Sequence, residues 1–179
     1  MWVSIKNRHW TFLLLVGLFL LCVGISRTTA LDSKPLSIAE LTTRSDVIAL
    51  GTVISTTSDW DLNRTAIYTK IVLQVEQGFK GTGAGKEIMF QQLGGQAGDI
   101  VSEVAGTAVF KTGEKVVVFL FRNKKQSLEV VGSFQGKFLV EKRPPEGEMA
   151  VRRVPGIAKP LDEMSLGRLK MLIQTALAK

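Results

Sequence analysis

The sequence is poor in the side chains that many enzymes use for nucleophilic and metal chemistry. It contains one histidine and one cysteine, His9 and Cys22, and both precede residue 30. A chain that begins after Ala30 has neither residue, so it can form no disulfide and its core alone must hold the fold. The same lack excludes Ser-His-Asp and Cys-His catalytic arrangements. Zinc would lose the two ligand types that it prefers. We therefore expect no cofactor and no metal.

The N-terminal segment has the layout of a signal peptide. Lys6 and Arg8 precede an uncharged apolar stretch over Trp10–Ile25, and small residues end the segment at Thr28–Ala30. The apolar stretch is shorter than the roughly 20 residues of a spanning helix. The sequence predicts a signal peptide at 1–30 and an extracytoplasmic domain at 31–179, periplasmic or secreted. Its lack of cysteine favours a bacterial source. An uncleaved leader that anchors the protein in the membrane is the alternative.

One stretch organises the remaining chain. Val116–Phe121 is an unbroken run of β-branched, aromatic and other apolar residues, with a glycine turn before it and Arg122–Lys125 after it. A run of this length and composition predicts a strand that is covered on both faces and therefore central in a barrel or sandwich. We expect its core partners to include Ile71, Leu73 and Phe138, beside Val117 and Phe119 of the run itself.

Helices are predicted at both ends of the domain. Ser37 and Glu40 have capping-box spacing at the start of a short helix within Leu36–Arg44. Ser165 is positioned to cap a second helix that runs to about Ala178 with an apolar stripe. The stripe is expected to dock on the sheet, because the opposite helix face is not strongly basic.

The segments between the helices predict strands. Alternating side chains from Ile67 to Glu76 are typical of a half-buried strand. Further strands are predicted at Val47–Ile54 with a bulge or bend at Gly51, at Glu87–Leu93, at Ser127–Gly132, at Phe134–Val140 and at a short edge, Met149–Val154. Arg152 and Arg153 would protect that edge from pairing with another chain. Ser55–Arg64 and Glu141–Glu148 are predicted as connections.

The fold class is therefore mainly β. We predict a small OB-like barrel of about five or six strands with a short N-terminal helix and a C-terminal helix, and a small sandwich is the alternative. The run Leu41–Val53, the turn Phe79–Gly81 and the strand Gly113–Phe119 resemble netrin-like and tissue-inhibitor-of-metalloprotease-like domains, a shape also found in exported bacterial proteins. This resemblance covers roughly Leu36 to Val140 and implies an OB barrel. The inhibitors use an N-terminal cysteine and several disulfides, which this chain lacks, so protease inhibition stays open as an alternative.

The charge of the chain is unevenly distributed. Residues 31–110 carry 6 bases and 9 acids, whereas residues 111–179 carry 14 bases and 7 acids. Such an asymmetry attracts acidic partners, although a solvated basic face is the ordinary reading of it. The predicted recognition surface lies at strand ends and loops and consists of Lys124, Lys125, Lys142, Arg143, Arg152 and Arg153.

Two functional classes follow. The first is an exported non-enzymatic binding module for a protein or an anionic envelope polymer. The second is a hydrolase that uses carboxylates such as Asp59, Asp61 or Asp99, which would need a pocket that separates their pKa values. Asp59, Asp61 and Asn63 also begin a calcium-loop pattern, which fails at Arg64 and Lys70; a hairpin turn with Asx-type hydrogen bonds is the other reading. Nucleic acid is not expected as a partner, since the domain offers few exposed aromatics for base stacking.

Overall fold

A computed structural model describes residues 34–179 of this protein, and the predicted leader lies outside them. Residues Pro35–Lys179 form one compact unit. The helices of the described residues are α1 (Ile38–Arg44) and α2 (Leu166–Leu177). The strands are β1 (Val47–Trp60), β2 (Ile67–Lys80), β3 (Glu87–Leu93), β4 (Gly95–Ala97), β5 (Ile100–Ser102), β6 (Lys115–Arg122), β7 (Leu128–Val130), β8 (Lys137–Arg143), β9 (Gly147–Arg153) and β10 (Pro160–Ser165).

The main sheet is antiparallel and curls into a half-barrel. Its strand order is β10-β9-β8-β6-β1-β2-β3, and β7 pairs with the end of β6. The short strands β4 and β5 form a separate hairpin. The curl brings β3 close to β7, where the Gln91 side-chain amide donates to the Glu129 carboxylate over 3.3 Å. The turns that follow β1 and β6 therefore lie near each other.

The pairing of β1 with β2 is interrupted by three register shifts, one of them between Leu50 and Gly51. A Cβ added at Gly51 would lie 2.2 Å from the backbone oxygen of Gln74, so the close approach of β2 requires glycine here. The predicted bulge at Gly51 is confirmed. Bulges increase the local twist and bend a long strand, which is how this sheet can curl.

The sheet carries a hydrophobic core on each of its faces. One core gathers Ile71, Leu73, Phe90 and Phe110 with Val116, Val118 and Leu120. The other gathers Leu41 of α1 and Leu169 and Ile173 of α2 with Val117, Phe119 and Phe138. Successive residues of β6 alternate between the two cores, so the strand is buried on both faces. The predicted central position of Val116–Phe121 is confirmed, and the five predicted core residues are all fully buried.

Both helices begin where the sequence predicts. The Ser37 hydroxyl accepts from the Glu40 amide over 3.2 Å, while the Glu40 carboxylate accepts from the Ser37 amide over 2.8 Å. The Ser165 hydroxyl accepts from the Arg168 amide over 3.2 Å at the start of α2. The apolar stripe of α2 packs against the second core, as expected. Neither helix of residues 34–179 is long and apolar enough to cross a membrane.

Three sequence-based expectations are wrong. The described residues contain ten strands rather than five or six. Ser55–Trp60 is not a connection, because these residues extend β1 and pair with Ile67–Val72 of β2. Residues 141–148 contain the end of β8 and the start of β9, with only a tight turn between them.

The strand that carries Arg152 and Arg153 is not an edge strand, because β10 pairs with its outer side. These arginines therefore do not guard an edge of the sheet. The mainly β fold with a helix at each end is confirmed.

Candidate functional site

The turn between β1 and β2 and the turn between β6 and β7 enclose a cleft of about 560 Å³, which we call the hairpin cleft. It is lined by Asp59, Trp60, Asp61, Leu62, Asn63, Tyr68, Lys70, Gln91, Asn123, Lys124, Lys125, Ser127 and Glu129. Residues that the sequence singled out for separate reasons lie together here. They include two of the candidate carboxylates and two of the candidate recognition lysines, and two aromatic side chains lie beside them.

The β1–β2 turn is organised by the side chain of Asp61. Its carboxylate accepts from the Thr65 amide and the Thr65 hydroxyl, each over 2.6 Å, and from the Ala66 amide over 3.3 Å. The hydrogen bonds from Thr65 hold the pKa of the Asp61 carboxyl below its ordinary value. The predicted hairpin turn is present, but the hydrogen bonds of Asp61 reach four and five residues along the chain rather than the two of an Asx turn. Both carboxylate oxygens of Asp61 therefore accept hydrogen bonds within the turn.

The β6–β7 turn is organised by Asn123. Its side-chain oxygen accepts from the Lys125 amide over 2.8 Å and from the Ser127 amide over 3.0 Å. Its side-chain nitrogen donates to the Glu129 carboxylate over 2.7 Å. The turn therefore has a fixed backbone, and it presents the exposed side chains of Lys124 and Lys125 at the cleft.

The hairpin cleft is lined by equal numbers of acidic and basic side chains. The two kinds differ in whether they form hydrogen bonds within the protein. Asp59 accepts from the Trp60 amide over 2.7 Å, and Asp61 and Glu129 are hydrogen-bonded within the turns as described. Among the described residues, the ammonium groups of Lys70 and Lys124 form no ion pair and no hydrogen bond. The formal charges of the cleft therefore balance, and its charged groups without a hydrogen-bond or ion-pair partner include the ammonium groups of Lys70 and Lys124.

Two aromatic side chains complete the lining. Trp60 and Tyr68 are half-buried, and Leu62 at the tip of the turn is fully exposed. In β2, Tyr68 and Lys70 stand on the face opposite the buried Ile67 and Ile71. Aromatic rings at a wet surface offer a large apolar contact area together with a polar tip. The cleft can therefore contact the apolar parts of a ligand whose charged groups meet the lysines.

The six residues of the predicted recognition surface do not form one surface. Lys124 and Lys125 line the hairpin cleft, whereas Lys142 and Arg143 belong to β8 and the other two arginines to β9. Glu141 accepts from Arg153 over 2.8 Å and also binds Arg143, which donates to Glu163 over 2.7 Å. These ion pairs engage Arg143 and Arg153, so the two arginines are less available to a partner in solution.

Arg152 is placed differently from its neighbour Arg153. It is 3% exposed, and its guanidinium donates to the backbone oxygen of Leu36 over 2.7 Å and to Asp162 over 3.0 Å. Burial lowers the pKa of Arg152, and the carboxylate of Asp162 opposes that change. Adjacent residues in a strand point to opposite faces, so one arginine of the pair enters the interior. A partner in solution cannot reach it.

The three carboxylates of the hydrolase alternative do not all lie in one place. Asp99 lies between β4 and β5 and does not line the hairpin cleft. Asp59 and Asp61 do line it, but the pKa of Asp61 is lowered, which is the opposite of what a general acid requires. Within residues 34–179, no group of three metal-ligating side chains is positioned to hold a metal ion.

Comparison with known proteins adds no further constraint. No family model matches the sequence, and no curated protein and no solved structure matches it either. The resemblance to netrin-like and metalloprotease-inhibitor-like domains stays a prediction.

Proposed function

We propose that this protein is an exported, non-enzymatic binding module that holds an extended polyanion in the hairpin cleft. The proposal depends on one observation, which is that the acidic and basic groups of the cleft differ in whether they have partners within the protein. The Asp61 and Glu129 carboxylates are satisfied by hydrogen bonds within the turns, whereas the Lys70 and Lys124 ammonium groups have no partner among the described residues. Burying these ammonium groups under a ligand would favour a ligand with anionic oxygens.

The shape of the cleft favours an extended ligand. Lys124 and Lys125 are adjacent in a turn, and Lys70 stands on β2 across the cleft. A chain with repeated carboxylates or phosphates can meet cations on both walls, while Trp60 and Tyr68 contact the apolar links between its charges. Acidic protein segments and anionic envelope polymers both have this chemistry.

Location supports the same proposal. The predicted signal peptide would deliver the domain to a compartment outside the cytoplasm, where anionic polymers are exposed. We expect the exported form to begin at Leu31 or close to it. N-terminal sequencing of the exported form tests this, and a protein recovered with Met1 intact in the cytosol would contradict it.

Affinity measurements with defined polymers test the proposed ligand class. We expect polyglutamate and polyphosphate to bind, and uncharged dextran not to bind. Substitution of Lys124 and Lys125 by glutamine should weaken polyanion binding by about 2- to 30-fold, since an exposed ion pair contributes roughly 0.2–1 kcal/mol. Lys159→Gln is the matched control, because Lys159 is exposed but lies outside the hairpin cleft.

The two polymers also distinguish the source of the anion. Tighter binding of polyglutamate indicates an acidic protein segment, and tighter binding of polyphosphate indicates a phosphate-bearing polymer. Equal losses in the Lys159→Gln control would contradict a role for the cleft. Turnover of a polymer by the purified protein, abolished by Asp59→Asn, would replace the binding module by the carboxylate hydrolase.

A further inference from the structure

The tip of the β1–β2 turn carries a modification motif that polyanion binding does not explain. Asn63, Arg64 and Thr65 form the Asn-x-Ser/Thr sequence at which N-linked glycans are attached in exported proteins. Asp61 lies two residues before Asn63. Bacterial oligosaccharyltransferases require an acidic residue at that position as well as the three-residue sequence. The motif therefore meets the requirements of both the bacterial and the eukaryotic enzymes.

The structure places the motif where an enzyme can reach it. Residues 62–65 are all exposed, and they lie between the paired strands β1 and β2. Asp61 and Thr65 form side-chain hydrogen bonds within the turn, whereas the Asn63 side-chain amide forms none with any residue of 34–179. The acceptor nitrogen of the motif is therefore free in the folded protein. Exposed turns of exported domains are where glycan acceptors occur.

The acidic and hydroxyl groups of the motif are hydrogen-bonded to each other. The Thr65 hydroxyl and the Thr65 amide each donate to the Asp61 carboxylate over 2.6 Å. A transferase that recognises both side chains must therefore open the turn. Water can replace these hydrogen bonds because the turn lies at the surface, and a surface turn can open without unfolding the cores of the sheet.

We propose that Asn63 is an acceptor for an N-linked glycan, transferred outside the cytoplasm from a polyprenyl-pyrophosphate-linked oligosaccharide. The Asn63 side-chain nitrogen attacks the anomeric carbon of the oligosaccharide. A bond forms between that nitrogen and the anomeric carbon while the bond from the carbon to the pyrophosphate oxygen breaks. Polyprenyl pyrophosphate leaves with the electron pair, and the nitrogen loses one proton to a base of the transferase. The proposal rests on export of the domain and is independent of polyanion binding in the hairpin cleft.

A glycan on Asn63 would also obstruct the hairpin cleft. Asn63 lines the cleft, and an attached oligosaccharide would occupy space that an extended polyanion needs. We expect the glycosylated protein to bind polyglutamate more weakly than the unglycosylated protein, an expectation that rests on the proposed function. Equal affinities of the two forms would overturn it. Failure of both forms to bind would contradict the proposed function, and the mass of the protein then decides the modification alone.

Mass spectrometry of the exported protein tests the modification. The full-length chain is produced in a bacterial host that carries an oligosaccharyltransferase and a lipid-linked oligosaccharide of known mass. We expect wild type to gain the mass of one oligosaccharide, on the peptide that contains Asn63. A second acceptor protein in the same cells shows that the transferase is active. Wild type that is exported but keeps its unmodified mass under these conditions would overturn the proposal.

Single substitutions test the assignment to Asn63. Asn63→Gln and Thr65→Ala should each abolish the added mass, because the first replaces the acceptor and the second removes the required hydroxyl. Thr65→Ser retains the hydroxyl and should be modified. Asn123→Gln is the matched control and should be modified like wild type, because Asn123 lies in the other turn of the cleft and is followed by two lysines. Added mass in Asn63→Gln or Thr65→Ala, or its absence from both Thr65→Ser and Asn123→Gln, would overturn the assignment.

Discussion

Replacement of Phe119 by alanine tests the two-sided burial of β6. The Phe119 side chain is fully buried in the second core, and its ring centroid lies 5.9 Å from that of Phe138. The neighbouring Val118 is equally buried in the first core, on the other face of the sheet. A truncation at either position leaves a space that helices or strands on that face cannot close without moving. Both substitutions should therefore destabilise the domain.

The size of the effect follows from the packing. A buried phenylalanine reduced to alanine costs about 3–5 kcal/mol, through lost transfer free energy and the cavity that remains. For a domain of this size, each kcal/mol lowers the melting temperature by about 2–4 °C, so Phe119→Ala should melt about 6–20 °C below wild type. Val118→Ala removes two methyl groups and should cost roughly 1.5 kcal/mol or more.

Thermal unfolding followed by circular dichroism and urea unfolding at 25 °C measure these changes. Leu62→Ala is the control, because Leu62 is fully exposed at the tip of the β1–β2 turn. If Phe119→Ala melts within two degrees of Leu62→Ala, β6 is not packed on both faces. If Val118→Ala is neutral, the first core is not packed against β6.

Three further substitutions test local features. Gly51→Ala should lower the free energy of unfolding by about 1–3 kcal/mol, because the added Cβ would lie 2.2 Å from the Gln74 backbone oxygen. Gly83→Ala is the control and should be nearly neutral, because Gly83 has open space around it. Equal melting temperatures for the two variants would contradict the bulge. Asp162→Ala should destabilise the domain more than Arg152→Met, because Asp162→Ala leaves the buried Arg152 guanidinium without its carboxylate. Urea unfolding that ranks the two variants in the reverse order would refute this expectation. Hydrogen bonds from Arg153, and to a smaller extent from Arg143, lower the pKa of Glu141 in the folded state. The Glu141 carboxylate therefore contributes its full stabilisation above the unfolded pKa of about 4.3, and this stabilisation is lost as the pH falls through the lower folded pKa. The difference in unfolding free energy between wild type and Glu141→Gln should shrink over that range, and a difference that persists in acid would exclude the ion pairs as its cause.

Local patterns predicted much of the fold because they depend on neighbours in sequence. The Ser37–Glu40 capping box, the alternation that begins at Ile67 and the apolar run of β6 each express a single element. The second half of β1 escaped prediction because its side chains are polar. Its strand conformation comes from pairing with Ile67–Val72 rather than from an apolar pattern.

The candidate site was predicted only in parts. Asp61 and Lys124 were singled out for different reasons, and nothing in the sequence shows that they share a cleft. Their proximity depends on the β1–β2 register and on the curl that brings β3 to β7. Gln91 and Glu129 were missed because their hydrogen bond joins β3 to β7, which are far apart in sequence. Asn123 was missed because its hydrogen bonds to the turn and to Glu129 depend on the folded shape of the turn. The burial of Arg152 was missed for a similar reason, since Leu36 and Asp162 supply its partners from distant segments.

Fluorescence of Trp60 tests polyanion binding in the hairpin cleft most directly. Trp60 is the only tryptophan after residue 10, so in the chain that begins at Leu31 the emission reports on the cleft alone. Titration with polyglutamate or polyphosphate should shift the emission in a saturable manner. Raising the salt from 0.01 M to 0.15 M should reverse the shift, because the screening length falls from about 30 Å to about 8 Å. Lys124→Gln combined with Lys125→Gln should move the midpoint to higher polymer concentration. Polymer binding that leaves Trp60 emission unchanged, or that is indifferent to salt and to both substitutions, would contradict the proposed function.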